Sequence, residues 1–376
     1  MLSEVTNFLD ELESLIILTG IPLLGPIKIR LLLTHFGTAK RAIDAHLDEI
    51  SILPGFGPKL LQSWETTLKE KKWKADLLLA EKLNAQFIPF TSPSYPKKLL
   101  NIDNFPPLIT IQGDLKPQDN RSIAIVGTRN ATFYGMEMAK KLGYEIAKAG
   151  FTIVSGLARG IDTAAHEGAL EGGGRTIAVL GSGLAHLYPQ ENSRLASSIS
   201  RQGAVMSEFP LLTPPDRTHF PRRNRIVSGL SLGTLLIEAP EKSGAMLTVG
   251  NALSQGRFVW ALPGRADQEN FKGNHLLIKQ RKALLVENTY DVVQCLDSLL
   301  APCSVEIKQS LQPSLEKEEV LFLQQLPSEE LSIEEIIRHT RLPINQVSVL
   351  LMSLVLKKIV KEYPGKIFKK IALRKE

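Results

Sequence analysis

The sequence predicts an α/β fold for its central region: an extended Rossmann-like, doubly wound and mostly parallel sheet. Short apolar runs rich in β-branched residues alternate there with stretches of helical periodicity, which is typical of a parallel sheet with helices on both faces. Glycine-rich turns follow several of these runs, as they do where strands of such a sheet lead into helices. The expected strands are 122–126, 152–155, 176–180, 204–207, 234–238, 258–262 and 283–286. The expected helices are 134–149, 162–172, 191–202, 222–230, 245–256 and 274–281.

Residues 1–85 predict a separate helical domain of the tandem helix-hairpin-helix or SAM-like type. Residues 53–61 have the apolar-Gly-apolar-Gly pattern that joins two short helices, and residues 21–29 repeat it with Leu23 in place of the first glycine. Such hairpins can present backbone N–H groups to a phosphate at a helix N-terminus. The alternative, a module used only for packing or protein contact, stays open because few basic residues lie near the second hairpin.

The C-terminal region predicts a winged-helix-like domain over residues 316–376, after a linker at 301–315 and a central domain at 86–300. Helices are expected at 316–326, 332–339 and 343–357, followed by a hairpin that turns at Pro364-Gly365. The lysines of that hairpin suit contact with DNA phosphate. Protein contact and autoinhibition are the alternatives.

The composition indicates which cellular compartment and which kinds of partner to expect. The 376 residues are 43% hydrophobic with a formal net charge of +6, which favours packed domains and only weakly indicates a polyanionic partner. Cys295 and Cys303 have neither metal-ligand nor disulfide-framework spacing, so we expect no metal and a cytoplasmic location. The acidic N-terminus lacks a basic signal region, and the uncharged stretch 14–27 is too short to span a membrane.

The most informative segment is 220–230, in which Arg222, Arg223, Asn224 and Arg225 follow a proline. Arginines in the first turn of a helix oppose its macrodipole, so a nearby anion would account for them. Guanidinium groups match phosphate oxygens bidentately. A solvated or ion-paired basic turn is the alternative.

Two other glycine-rich turns carry arginine. Arg129 follows the first expected strand and Arg159 the second. The carboxyl ends of parallel strands meet at one edge of a sheet, where ligands of such folds bind. Together with 222–225, these turns predict a phosphate or polyanion site at that edge.

The glycine-rich turns lack the motifs of other nucleotide-binding sites. None contains G-x-G-x-x-G or G-x-x-x-x-G-K-[ST], which argues against a dinucleotide site and a P-loop. Asp162 and His166 share one helical face and have two interpretations, a base oriented by a carboxylate or a structural bond with Asp162 as the N-cap. The structural interpretation is favoured because no nucleophile or metal-ligand set accompanies the pair, so we assign no catalytic residue.

A series of motifs over about residues 95–290 resembles the DNA processing protein A (DprA/Smf) family. The resemblance implies a Rossmann-like fold that binds single-stranded DNA, forms a homodimer through the Rossmann-like domain and loads the RecA recombinase in natural transformation. It implies no cofactor and no settled enzymatic reaction. The matching motifs are Ile125–Arg129, Val154–Asp162, Ala165-His166, Thr176–Gly181, Tyr188-Pro189, Ser207-Glu208, Phe220–Ile226, Glu238-Ala239, Ser243-Gly244 and Pro263-Gly264.

The resemblance also implies roles for individual residues. Gly127, Thr128 and Arg129 would cradle a backbone phosphate. Residues 222–225 would line the same basic pocket together with Arg159. Gly156 and Gly160 would let the backbone approach closely. Phe220 and Phe133 or Tyr134 are the aromatic residues nearest these turns.

One departure from the family pattern is Arg281-Lys282, where the family usually has Gly-Ala, which leaves that turn uncertain. The rival function is a nucleotide-binding or nucleotide-hydrolysing enzyme of a related Rossmann-like superfamily. Gly233-Thr234 and Glu238 echo the nucleoside-monophosphate phosphoribohydrolases, but the upstream Pro-Gly-Gly is missing. We expect Glu238 to be a strand-end residue that binds backbone donors.

Overall fold

The computed structural model describes residues 2–297, 317–327, 329, 331–357, 359–363 and 366–370. The chain divides into two compact units, Met1–Ala301 and Pro302–Glu376. The regions predicted as helical domain and α/β domain therefore fall within one unit. The predicted linker at 301–315 lies outside the described residues.

The N-terminal part of the first unit is helical. Helices α2 and α5 begin at the prolines of the two predicted hairpins, with Gly25 and Gly57 as N-caps. Proline suits the first helical position because its missing N–H would have no acceptor there. A core that includes Leu18, Leu32 and Trp64 holds the helices together. The helices are α1 Leu2–Gly20, α2 Pro26–Phe36, α3 Ala39–Asp44, α4 Leu47–Ser51, α5 Pro58–Glu70 and α6 Trp73–Leu83.

A nine-stranded sheet with the order β1-β2-β6-β5-β4-β3-β7-β8-β9 forms the centre of this unit. All pairings from β6 to β9 are parallel, so the predicted mostly parallel α/β fold is confirmed. The strands are β1 Ala85–Pro89, β2 Leu108–Gly113, β3 Ser122–Val126, β4 Thr152–Ser155, β5 Thr176–Val179, β6 Gly203–Ser207, β7 Gly233–Leu236, β8 Phe258–Ala261 and β9 Leu284–Leu285.

Helices cover both faces of the sheet. Ala124 and Val126 of β3 pack into one core with Ile226 and Val249, whereas the alternate residue Ile125 packs into a second core on the opposite face. Because successive side chains of a strand point to opposite faces of the sheet, one strand packs against both helical layers. The helices are α7 Phe133–Lys148, α8 Ile161–Glu171, α9 Ser193–Gln202, α10 His219–Leu230, α11 Gly244–Ser254, α12 Lys272–Lys279 and α13 Thr289–Asp297.

Strands β1 and β2 were not predicted. They pair antiparallel with each other and, through β2, with β6. The proline-rich stretch that surrounds them hides the strand signal, because Pro89 ends β1 and Pro107 directly precedes β2.

The described residues of the second unit form three helices and a three-stranded antiparallel sheet with the order β10-β12-β11. Its core includes Phe322, Val347 and Phe368. The residues predicted to form the hairpin turn, 364–365, lie outside the described residues. The elements are α14 Lys317–Gln325, β10 Leu331–Ser332, α15 Ile333–Thr340, α16 Ile344–Leu356, β11 Val360–Tyr363 and β12 Ile367–Lys370.

Candidate nucleic-acid interface

A cavity of about 610 Å³ lies at the carboxyl ends of β3 and β4. The chain runs from β3 through β4 and β5 to β6 on one side and from β7 to β9 on the other, so the cavity is at the switch point of the sheet, where such folds bind ligands. We call it the switch-point cavity. The residues around it include Gly127, Thr128, Arg129, Asn130, Gly156, Ala158, Asp162, Tyr188, Arg217, Phe220, Pro221, Arg223, Asn224, Ser243, Gly244, Leu247 and Thr248.

The two glycines of the turn after β4, Gly156 and Gly160, are required by contacts within the protein. A Cβ on Gly156 would lie 2.5 Å from the guanidinium of Arg223. Gly160 has φ of +75°, and a Cβ there would lie 2.6 Å from the carbonyl oxygen of Thr128. The predicted close approach is therefore present, but the approaching groups are the protein's own backbone and the Arg223 side chain.

Arg223 places a buried charge at the floor of the cavity. Its residue is 4% exposed, and its Nη1 donates to the carbonyl oxygens of Gly156, at 2.6 Å, and Val179. Burial lowers the pKa of Arg223 to about 10, with nearby Arg129 acting in the same direction and Asp162 opposing it. The guanidinium therefore remains charged at neutral pH.

Asp162 supports the turn after β4. Its Oδ2 accepts the N–H groups of Gly156 at 3.1 Å and Ala158 at 3.3 Å, and burial raises the pKa of this carboxyl. The expectation that Asp162 is the N-cap of its helix was wrong, because α8 begins at Ile161 with Gly160 as the N-cap.

His166 does not face Asp162 as a base would. It is fully buried, and its Nδ1 lies 2.6 Å from Oγ1 of Thr176 on β5. Burial, together with Arg223, lowers the pKa of His166 to about 3. The ring is therefore neutral and remote from solvent, which supports the structural interpretation of the pair.

The rim of the cavity combines cations with aromatic rings. The exposed guanidinium of Arg129 lies 4.9 Å from the ring centroid of Phe220, and the rings of Phe220 and Tyr188 are 5.7 Å apart. Arg217, also exposed, lines the same cavity. Sequence reasoning missed Tyr188 and Arg217 as site residues. Phe133 and Tyr134 are not among the residues that line the cavity.

The ten residues predicted to bind DNA do not all meet in one place. Gly127, Thr128, Arg129, Gly156, Arg223 and Asn224 line the switch-point cavity, whereas Arg159, Gly160, Arg222 and Arg225 do not. Consecutive helical residues are rotated by about 100°. Residues 222–225 therefore do not all line this cavity, contrary to the expected common pocket, and their part in DNA binding stays a prediction.

The remaining arginines have other neighbours. Arg225 pairs with the buried carboxylate of Glu208, and the guanidinium of Arg222 lies 5.1 Å from the ring centroid of Phe209. Exposed Arg159 binds Glu191 through two hydrogen bonds of 2.7 and 2.8 Å. The alternative of an ion-paired basic turn thus applies to Arg225, on one side of α10.

Glu238 is occupied by structural bonds. Its carboxylate accepts the N–H of Thr132 at 3.0 Å, the hydroxyl of Thr132 at 2.7 Å and the side-chain amide of Asn270 at 2.6 Å. The prediction of a strand-end residue that binds a backbone donor is confirmed.

At position 281, where the family usually has glycine, Arg281 adopts φ of +55°. It therefore takes the left-handed conformation in which glycine is usual.

The described residues contain no group of three or more His, Cys, Asp or Glu side chains placed to hold a metal ion. No helix in the described part of the chain is long and apolar enough to cross a membrane.

The fold and the cavity define a Rossmann-like α/β protein with a cationic, aromatic-rimmed site at its switch point. Residues 86–297 match the family model of DNA recombination-mediator protein A, and the chain belongs to this family. The resemblance noted in the motifs is therefore confirmed.

Two similar proteins match over a larger share of the chain. Protein Smf of Escherichia coli is 41% identical over 248 residues, which cover 65% of this chain and 66% of that protein. Protein Smf of Synechocystis is 32% identical over 374 residues, 91% of this chain and 94% of that one.

Two solved structures are similar. DNA processing protein A of Streptococcus pneumoniae has a TM-score of 0.65 and 31% identity, with 74% of this chain and 95% of that one covered. The protein of Helicobacter pylori has a TM-score of 0.51 and 29% identity, with 57% and 96% covered, and its structure concerns a single-stranded DNA binding mode.

Proposed function

We propose that this protein binds single-stranded DNA in the switch-point cavity and acts as a recombination mediator. The observation that carries the proposal is the arrangement of Arg129, Arg217 and Arg223 around one cavity, with Asp162 as the only acidic residue among the described residues that line it. Three guanidinium groups against one carboxylate give the lining of the cavity a surplus of positive charge. Family membership and the DNA-binding mode of the Helicobacter pylori relative support this proposal.

The cavity offers two kinds of contact that suit a single strand. Exposed Arg129 and Arg217 can pair with backbone phosphates, and α11 directs its N-terminus, at Gly244 and Ala245, towards the same space. Phe220 and Tyr188 offer ring faces on which bases stack without regard to sequence. We therefore expect little sequence preference and strong dependence on salt.

The family and one edge of the sheet support a proposal about partners. We propose that the α/β region forms a homodimer and passes the strand to RecA in homologous recombination and transformation, in the cytoplasm. In support of a dimer, β9 is an edge strand whose Leu284 and Leu285 are each 50% exposed.

The domain boundaries 1–85, 86–300 and 316–376, and DNA contact by the last of these domains, remain proposals. The carboxylate of Glu238 is bonded to Thr132 and Asn270 and is not among the residues that line the cavity, which favours DNA binding over nucleotide hydrolysis.

The test compares Arg129→Ala with wild type in fluorescence anisotropy titrations of labelled oligo-dT and of duplex DNA at several salt concentrations. We expect wild type to prefer the single strand. The variant should bind about tenfold more weakly, with a shallower salt dependence because a phosphate contact is lost.

Arg201→Ala is the matched control, because Arg201 is exposed on α9 and bonds only to serines of its own helix. Equal affinities of Arg129→Ala and Arg201→Ala would contradict the assignment of the cavity. Failure of wild type to bind any single strand would contradict the function.

A further inference from the structure

A second cavity, of about 540 Å³, separates the first hairpin of the helical region from α10. We call it the hairpin cavity. The function proposed above makes no use of it, although sequence analysis singled out this hairpin. Its lining residues are Leu23, Gly25, Pro26, Ile27, Lys28, Asn104, Pro221, Arg222, Arg225 and Asn251.

One wall of the hairpin cavity is the N-terminus of α2. The N-cap residue Gly25 supplies no side-chain cap, and the first turn contains no acidic residue. The N–H groups of Ile27 and Lys28 have no acceptor within the helix because they belong to its first turn. This end of α2 therefore presents free donors and the positive end of the helix dipole.

A buried arginine supplies an independent indication of a ligand. The side chain of Arg225 is 8% exposed and lines the hairpin cavity. Its Nη2 donates to Glu208, whereas its Nη1 is buried without a hydrogen-bond partner among the residues that the structure describes. An unpaired buried guanidinium N–H is costly, so an acceptor in the cavity would satisfy it.

Two further cations face the same space, and none of the described residues that line it is acidic. Arg222 stacks on Phe209, and Nζ of Lys28 lies 5.8 Å from the ring centroid of Phe56. Neither forms an ion pair with any acidic side chain in the described ranges. Both charges are therefore available to an anion.

The wall formed by α2 is held in position. Nη1 of Arg30 donates to the carbonyl oxygen of Asp103, and its guanidinium lies 4.7 Å from the ring centroid of Phe105. The loop at 103–105 thus fixes the helix beside Asn104, which also lines the cavity.

We propose that the hairpin cavity binds a second backbone phosphate of the same polynucleotide strand that occupies the switch-point cavity. Pro221 lines both cavities, and α11 lines the first with Thr248 and the second with Asn251. These two positions are about 4.5 Å apart along the helix, so one strand can continue from one cavity into the next. The inference rests on the proposed function and gives the first hairpin a role in it.

The test uses the double variant Lys28→Ala/Arg222→Ala in the full chain, with oligo-dT of increasing length, from roughly 4 to 20 nucleotides. The shortest oligonucleotides that bind wild type fill only the switch-point cavity, so both proteins should bind them equally. With longer ones, the double variant should bind about tenfold more weakly, and its slope of log affinity against log salt should be shallower by about 0.7 for one lost phosphate contact.

The matched control is Lys59→Ala, which removes a lysine from the first turn of α5 in the second hairpin, outside the lining residues of both cavities. The charge-conserving variant Lys28→Arg/Arg222→Lys should retain most of the increase in affinity that wild type shows with oligonucleotide length. Equal length dependence in the double variant, Lys59→Ala and wild type would overturn the inference and leave the proposed function standing. An equal loss at every length would also overturn it, because the two cavities would then act as one site. Absence of binding by wild type would instead refute the proposed function.

Discussion

Arg223 and Arg225 lie two residues apart on α10 and are 4% and 6% exposed, yet their charges are held in different ways. Arg225 pairs with the buried carboxylate of Glu208. Arg223 donates to main-chain carbonyl groups and forms no ion pair with an acidic side chain in the described part of the chain. Asp162 attracts this charge without forming an ion pair with it in the described part of the chain, so the charge of Arg223 is only partly compensated where it faces the switch-point cavity.

The difference shows that a run of arginines is not one functional surface. Rotation along the helix directs neighbouring residues to different surroundings, and the surroundings decide whether a charge attracts a ligand or links parts of the fold. Arg223 should therefore matter more for DNA binding, and the pair formed by Arg225 more for stability.

The largest expected effect comes from Glu208→Gln. This change leaves the guanidinium of Arg225 buried without its counter-charge, so the free energy of unfolding should fall by about 3–5 kcal/mol. Denaturant unfolding followed by tryptophan fluorescence measures it, because Trp64, Trp73 and Trp260 all lie in the first unit. Glu241→Gln, at an exposed position, is the control; equal stability of the two variants would contradict the role given to the pair.

Arg223→Met should lower DNA affinity strongly and stability less than Glu208→Gln does. Loss of the guanidinium leaves two carbonyl groups without a donor and should cost about 1–3 kcal/mol of stability, less than Glu208→Gln. The affinity for oligo-dT should fall about tenfold or more, because the cavity loses its central charge. Affinity equal to wild type in a folded variant would show that the charge of Arg223 does not reach the strand.

The pKa of His166 depends in part on the charge of Arg223. Its pKa of about 3, against 6.5 when unfolded, arises from burial and from Arg223. Between these values the unfolded chain binds a proton that the folded chain does not. Stability should therefore fall as pH drops below about 6.5, by at most about 1.4 kcal/mol per pH unit. Denaturant unfolding at pH 7 and at pH 4.5 measures this loss.

In Arg223→Met the pKa of His166 should rise but stay below 6.5, because burial remains. NMR titration of the imidazole measures this shift. An unchanged pKa would mean that the charge of Arg223 is already neutralised.

The smallest effect is expected for Arg159→Ala. The pair of Arg159 with Glu191 is exposed and screened by solvent, so neither stability nor DNA affinity should change measurably. A marked loss of affinity in the anisotropy assay would place Arg159 on the binding surface. It would also show that an ion-paired arginine can still bind the strand.

The sequence was sufficient for the parallel core and for the turns at 127–129 and 156–160, because strand alternation and glycine-rich turns are local patterns. It was not sufficient for the division of residues 222–225 between two cavities. That division depends on the rotation of α10 and on Glu208, which follows a different strand. The same limit applies to Gly156, whose requirement comes from Arg223, distant in the chain. Strands β1 and β2 were missed because prolines obscured their boundaries.

Hydrogen–deuterium exchange of the full chain with and without oligo-dT tests most directly whether the strand lies in the switch-point cavity. We expect slower exchange on binding in segments 127–131, 217–224 and 243–248, which surround that cavity. Tight binding with unchanged exchange in all three segments, and protection elsewhere, would contradict it.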